Sequence, residues 1–137
     1  MRTFFDSSAL AKRYVAEVGT QDVLLLCRDS QQILLSVIAI SELLSAFNRL
    51  RREQKLREPD YHFLKAELAA DVKVATIIEL NSGVVARSLD CLEHYPMRAM
   101  DALHLASALV SGAHRFVSAD QRQCRAAREA GLLVELV

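Results

Sequence analysis

The sequence has few cysteines that could crosslink a small fold and no long apolar segment that could cross a membrane. Its 137 residues include three cysteines, Cys27, Cys91 and Cys124, whose odd number and wide spacing exclude a CxxC metal-binding pair and indicate reduced thiols in the core. No apolar run approaches the roughly eighteen residues of a membrane span. Residues 1–6 lack the apolar core of a signal peptide, so we expect a cytoplasmic protein with no membrane partner.

The chain also has no excess of positive or negative charge. The 17 Lys and Arg residues balance 17 Asp and Glu residues, so any contact with nucleic acid must rely on local patches. Only two prolines and four glycines interrupt the chain, and it contains no low-complexity linker or internal repeat. The length, with 52% hydrophobic and 25% charged residues, predicts one globular domain over residues 1–137.

Apolar segments of strand and helix period alternate along the chain. The predicted strands are 3–5, 33–37, 74–80, 115–118 and 132–136. The predicted helices are 9–15, 22–28, 38–54, 60–70, 82–93, 98–110 and 120–130. This alternation predicts an α/β domain with a central, mainly parallel β-sheet flanked by helices.

Segment 98–110 is apolar on nearly every side, which predicts a helix buried in the centre of the domain. Its polar residues Asp101, His104, Ser107 and Ser111 share one helical seam, which we expect to face a cleft. No Lys or Arg follows Asp101 at helical spacing, so this carboxylate is expected either to bind a metal ion or to cap the helix. We expect His104 to be either a hydrogen-bonded neighbour of the site or a core residue, rather than a ligand.

Four acidic residues are predicted to meet at the carboxyl edge of the sheet. Asp6 follows the first strand, and Asp120 follows the fourth. Glu42 lies one to two turns into the helix after the second strand, and Asp101 begins the buried helix. Asp6 and Asp101 have a structural alternative as N-caps, and Asp120 with Gln123 has one as a capping box. Four carboxylates without an interleaved cation would repel one another, which favours a bound divalent cation.

An oxygen-only ligand set indicates a hard cation, Mg²⁺ or alternatively Mn²⁺, since no convergent Cys and His set suits zinc. Such an ion polarises a phosphodiester oxygen and activates a bound water. The residues therefore predict metal-dependent hydrolysis of a phosphodiester bond.

Four segments resemble the PIN-domain family, and specifically the VapC-type ribonuclease toxins of prokaryotic toxin–antitoxin pairs. They are residues 6–10 with 17–19 downstream, 41–43, 100–108, and 117–120 leading to 130–132. By this resemblance the whole chain, 1–137, is a PIN domain. The resemblance implies that the catalytic and metal-binding residues are Asp6, Glu42, Asp101 and Asp120, and that the supporting hydroxyls are Ser8 and Ser118.

The resemblance also implies a homodimer, a cognate VapB-type antitoxin and a structured RNA substrate such as transfer or ribosomal RNA. Relatives often carry another acidic residue shortly after the fourth, whereas residues 121–124 contain none, which leaves one metal ion or two open. The residues themselves suggest Arg98, Arg122 and Arg125 as RNA phosphate contacts, with a solvated surface as the alternative. We interpret the basic stretch 49–57 as a solvated helix end rather than a phosphate site.

Two other functions remain open at this stage. A non-catalytic RNA-binding module could keep the same fold. A Mg²⁺-dependent phospho-accepting receiver domain fits less well, because it needs adjacent acids after its first strand and a late lysine. Here Ser7 and Ser8 follow Asp6, and no lysine follows Lys73.

Overall fold

Five short strands form the centre of the molecule, all parallel, in the order β3-β2-β1-β4-β5. The computed structural model describes residues 1–137. The strands are β1 (Arg2–Phe5), β2 (Gln32–Ser36), β3 (Thr76–Ile78), β4 (Arg115–Ser118) and β5 (Leu133–Leu136). The first strand is therefore central, and the chain ends at an edge of the sheet.

Seven helices make the crossovers that parallel strands require. They are α1 (Ser7–Tyr14), α2 (Thr20–Asp29), α3 (Val37–Arg52), α4 (Glu58–Val74), α5 (Ser82–His94), α6 (Ala99–Val110) and α7 (Gln121–Glu129). None of them combines the length and the apolar character that crossing a membrane requires.

The sheet is buried on both faces, because side chains alternate sides along each strand. Phe4 and Leu34 belong to one fully buried cluster, which also contains Leu105 of α6. Their neighbours Phe5 and Leu35 belong to a second cluster on the other face, with α1, α3 and α4. The centre of the sheet is thus apolar on both faces, and the predicted α/β fold with its helix-flanked parallel sheet is confirmed.

Three predicted strand boundaries are wrong, the end of the second strand and both ends of the third. Val37, placed in the second strand, begins α3, because the Ser36 hydroxyl accepts a hydrogen bond from the Ile38 amide and caps that helix. Val74, placed in the third strand, is the exposed last residue of α4. β3 pairs with β2 only over Thr76–Ile78, and β2 ends at Ser36, so residues 79 and 80 have no strand beside them.

The three cysteines form no disulfide. Cys91 and Cys124 are buried, and Cys27 is half-buried. Burial raises the pKa of Cys27 and of Cys124 to about 11, so neither is an activated thiolate.

Candidate active site

The four acidic residues singled out from the sequence line one small cavity at the carboxyl end of the sheet. The cavity has a volume of about 100 Å³, and its lining contains no hydrophobic residue, no lysine and no arginine. Its walls are Asp6, Ser7, Ser8, Glu42, Asp101, His104, Asp120 and Gln123. These residues lie at or near the N-terminal ends of α1, α3, α6 and α7, where helix dipoles favour negative charge.

Asp6 is the most buried of the four carboxylates, at 3% exposure. As the N-cap of α1, it accepts hydrogen bonds at Oδ1 from the Ala9 amide (2.9 Å) and the Ser8 hydroxyl (2.8 Å). Oδ2 accepts from the Ser118 hydroxyl at 2.6 Å. Burial raises the pKa of Asp6, and these hydrogen bonds offset part of that shift. Asp6 therefore caps a helix and also faces the cavity, so the two explanations of this residue do not exclude each other.

The two serines predicted to support the site, Ser8 and Ser118, connect α1 with the loop after β4. Their hydroxyl oxygens lie 3.3 Å apart. Ser8 Oγ also accepts from the Ala119 amide at 3.0 Å, and Ser118 Oγ accepts from the Asp120 amide at 3.0 Å. The network holds Asp6 and the Asp120 backbone in one rigid unit.

Glu42 is held by residues from two other helices. Its Oε1 accepts from the Ser7 hydroxyl at 2.7 Å and lies 2.6 Å from Nε2 of His104, while Oε2 has no hydrogen bond. Burial alone would raise the pKa of Glu42, but the hydrogen bonds from His104 and Ser7 outweigh it and lower that pKa. The sequence showed no partner for Glu42 on its own helix, and the structure supplies one from α6.

His104 is 2% exposed, and its Nδ1 is buried without a hydrogen-bond partner. The tautomer protonated at Nε2 donates to Glu42 and leaves Nδ1 as a bare acceptor, which costs less than a buried N–H without an acceptor. The tautomer is assigned on this ground. As expected from the sequence, His104 is a hydrogen-bonded neighbour that orients an acidic side chain.

Asp101 differs from the other three because its carboxylate has no hydrogen bond, although it is partly buried. It is the third residue of α6, whose N-cap position is Arg98, so it is not the helix cap. Burial raises the pKa of Asp101, and the negative charges of Asp120 and Glu42 raise it further. The structure thus excludes the capping interpretation of this residue.

Asp120 is the N-cap of α7, and its Oδ1 accepts from the amides of Arg122 (2.8 Å) and Gln123 (3.2 Å). Only half of the capping box forms. The Gln123 side chain is 1% exposed and donates from Nε2 to the backbone carbonyl of Asp101 at 3.1 Å. Gln123 therefore links α7 to α6 through this hydrogen bond, which its position in the predicted capping box did not indicate.

The basic residues predicted to contact RNA lie outside the cavity wall. Arg98 is exposed next to it, and its positive charge lowers the pKa of Asp101 against the larger effects that raise it. Arg122 and Arg125 are also exposed, and they line a separate cavity of about 50 Å³ beside Tyr95.

The donor set fits a hydrated divalent cation. No three acidic, histidine or cysteine side chains converge closely enough to hold an ion by themselves. Mg²⁺ is commonly held by one or two carboxylates and keeps several waters, so closer convergence is not required. Asp101 offers two oxygens without partners, and Glu42 and Asp120 offer one each. With no positive side chain in the wall, a hard cation satisfies these oxygens.

The model of the PIN domain family matches residues 3–129 of this chain. The chain belongs to the PIN domain family. A receiver domain has the strand order 2-1-3-4-5, whereas this PIN domain has 3-2-1-4-5, so the receiver alternative is wrong. No curated protein matches the sequence significantly.

Solved structures with the same fold include proteins of toxin–antitoxin systems. VapC20 of Mycobacterium tuberculosis, described as a sarcin–ricin loop cleaving toxin, is similar with a TM-score of 0.71 and 15% identity, covering 96% of each chain. FitAcB from Neisseria gonorrhoeae gives 0.72 and 15%, covering 96% of this chain and 95% of that one. VapBC2 from Rickettsia felis, bound to a DNA fragment from its promoter, gives 0.68 and 14%, covering 100% and 99%. At these identities the likeness shows the shared fold.

Proposed function

We propose that this PIN-domain protein is a Mg²⁺-dependent endoribonuclease, with Mn²⁺ as an alternative ion, and the toxin of a toxin–antitoxin pair. One observation carries the proposal: four carboxylates line a cavity of about 100 Å³ that contains no positive side chain, and Asp101 among them has no partner. A bound divalent ion would supply a Lewis acid and an activated water at this place.

The residues in and around the cavity would then have distinct roles. Asp6, Glu42, Asp101 and Asp120 would surround the hydrated ion, with one or two of them binding it directly and the others through its waters. Ser8 and Ser118 fix the orientation of Asp6 through its two oxygens. Ser7 and His104 bind Oε1 of Glu42, which leaves Oε2 for the cavity. The bare carboxylates would repel a phosphodiester, so bringing the scissile phosphate into the acidic cavity requires the cation.

The proposed substrate and partner draw on the structural neighbours. One neighbour is described as cleaving the sarcin–ricin loop, which supports a structured RNA as the substrate. Others are antitoxin complexes, some bound to DNA, which supports a VapB-type antitoxin as the partner. Arg98, Arg122 and Arg125 are exposed and free of ion pairs, as phosphate contacts should be. The absence of disulfides is typical of cytoplasmic proteins.

A homodimer is supported by an apolar stripe on α5. Val85, Leu89 and Leu92 recur at helical spacing with 44%, 55% and 38% exposure, so they form a patch that a second copy could cover. Light scattering should show a dimer for the wild type and a monomer for Leu89→Glu. Phe63→Glu, which changes a similarly exposed residue on α4, should remain dimeric.

The direct test is cleavage of total cellular RNA by purified protein with Mg²⁺, with Mn²⁺ or with EDTA. Discrete fragments should appear only with a divalent ion, and Asp101→Asn should not produce them. Asp22→Asn is the matched control, because Asp22 is an exposed carboxylate on α2 without an ion pair. If wild type and Asp101→Asn behave alike in every condition, the cavity is not catalytic, and the non-catalytic RNA-binding module replaces the proposal.

A further inference from the structure

A second cavity opens directly from the acidic one, between α1 and α3. It has a volume of about 560 Å³ and shares Ser7, Ser8 and Glu42 with the acidic cavity, so the two are direct neighbours. Its floor on the α3 side is made by the short side chains of Ser45 and Ala46. We call it the α1–α3 groove.

Two arginines line the far part of this groove. Arg49 and Arg52 follow Glu42 on the same face of α3, at seven and ten residues, which is about 10 Å and about 15 Å along the helix axis. Both are exposed, and neither forms a hydrogen bond, ion pair or cation–π contact. Glu42 is the only acidic residue in the lining.

The rest of the basic stretch 49–57 behaves differently. Arg51 binds Asn48 at 2.8 Å and stacks over the Tyr61 ring at 4.0 Å. Lys55 pairs with Glu53 at 3.2 Å, and Arg57 pairs with Asp60 at 3.5 Å. The interpretation of this stretch as a helix end fits Arg49, Arg51 and Arg52, which lie in the last turn of α3. Arg49 and Arg52 differ from Arg51 because they line the groove and have no partner in the chain.

The lining indicates what the groove can hold. Its unpaired cations call for an anionic ligand of extended shape, and its serine hydroxyls add hydrogen-bonding groups. No aromatic residue lines it, so bases have nothing to stack on and the contacts go to the backbone. A groove of about 560 Å³ is of the size that accepts a small molecule, so it has room for a short piece of one strand.

We propose that the α1–α3 groove binds the sugar–phosphate backbone of a single RNA strand beside the cleavage position, with Arg49 and Arg52 contacting its phosphates. This inference rests on the proposed function, because it takes the acidic cavity as the place of cleavage. It extends that function by naming a strand path on the side opposite Arg122 and Arg125, whose cavity shares no residue with the acidic one.

The test measures binding without cleavage. Fluorescence anisotropy of a labelled twelve-nucleotide oligouridine is recorded in EDTA across a range of salt concentrations. The double variant Arg49→Gln/Arg52→Gln should bind about tenfold more weakly at low salt. The slope of log K against log salt should fall by about 1.4, since each lost phosphate contact of a single strand contributes about 0.7. Arg28→Gln/Arg87→Gln removes the same charge from α2 and α5 and should leave the slope unchanged.

A second variant blocks the groove and leaves its arginines in place. Ala46→Glu puts a carboxylate on the groove floor and should weaken binding, whereas Ala66→Glu, at an exposed site on α4, should not. The inference is overturned if the arginine variant keeps the wild-type slope, if both control variants lose as much as their partners, or if a polyglutamate peptide binds as tightly as the RNA.

The cleavage assay keeps the two proposals separable. If the wild type cleaves RNA with Mg²⁺ but the groove variants bind oligouridine normally, only the strand path is wrong. If the wild type binds oligouridine through Arg49 and Arg52 but no condition gives metal-dependent cleavage, the strand-binding groove stands and the nuclease proposal fails.

Discussion

Two partly buried aspartates, Asp71 and Asp101, lie in opposite surroundings. Asp71 on α4 receives two hydrogen bonds from the Arg13 guanidinium, at 2.7 and 2.9 Å, and one from the Tyr14 hydroxyl at 2.6 Å. Asp101 receives none. Burial would raise the pKa of both carboxylates; hydrogen bonds from Arg13 and Tyr14 reverse this for Asp71, while neighbouring negative charges reinforce it for Asp101.

The difference separates a structural carboxylate from one kept for a ligand. Asp71 joins α1 to α4, and its charge is neutralised within the chain. Asp101 occupies an environment of similar burial, yet it has no hydrogen bond, and only the charges of His104 and Arg98 act to lower its pKa. This contrast is one of the observations that make Asp101 a candidate ligand-binding residue.

The largest expected effect is on catalysis. Asp101→Asn and Asp6→Asn should each remove about 3 kcal/mol or more of transition-state stabilisation, a rate loss of about a hundredfold or greater. Asp71→Asn, assayed well below its melting temperature, should cleave at the wild-type rate, because Asp71 is not part of the cavity. Initial rates on one RNA with saturating Mg²⁺ measure all three. Near wild-type cleavage by both cavity variants would remove the distinction between the two aspartates.

The second effect is on folding stability. Asp71→Asn should lower the free energy of unfolding by about 1 to 2 kcal/mol, because it weakens charge-assisted hydrogen bonds that are only partly shielded from water. Urea denaturation at neutral pH measures this change. Glu67→Gln, an exposed change on the same helix, is the control and should be neutral. Equal stability of Asp71→Asn and wild type would show that the Arg13 pair contributes nothing.

A smaller effect should appear in the pH dependence of that stability. The pKa of Asp71 is lowered in the folded state, so its contribution is fully present above the unfolded value of about 3.9 and is lost as the pH falls through the folded pKa. The gap between wild type and Asp71→Asn should therefore be constant from pH 7 to about pH 5 and close in stronger acid. A gap that widens in acid would contradict the assigned direction.

The smallest effect concerns Asp101 in the absence of metal. Because the pKa of Asp101 is raised in the folded state, its ionised form costs stability at neutral pH, and Asp101→Asn should melt no lower than wild type in EDTA. Added Mg²⁺ should then raise the melting temperature of wild type more than that of the variant. A large drop for the variant in EDTA would instead assign Asp101 a structural role.

The edge position of the four acids could be predicted because it depends on local signals. Asp6 and Asp120 each stand between a strand and a helix, and parallel strands bring such junctions to one edge. The apolar residues that follow Asp101 correctly predicted that its helix, α6, is buried in the core. The end of β3 could not be predicted. β3 stops where its neighbour β2 ends and α3 begins, and no residue of β3 itself indicates that position.

The partners of the acids could not be predicted. His104 and Glu42 are 62 residues apart, and Ser118 and Asp6 are 112 apart, so their hydrogen bonds depend on how whole helices and strands are placed. The pairing of Arg51, and with it the isolation of Arg49 and Arg52, depends on where α4 crosses α3. Sequence spacing identifies which side chains share a face of a helix or strand, but not which other elements pack against that face.

The hydrogen bond between Asp6 and Ser118 has a consequence for how the protein is made. The central strand β1 is synthesised before one of its two neighbours, β4, and more than a hundred residues separate Asp6 from Ser118. Until β4 is made, β1 lacks one neighbouring strand and Asp6 lacks the Ser118 hydroxyl. The cavity is therefore completed only after Asp120 has been synthesised, so a nascent chain that stops before this residue carries no assembled site.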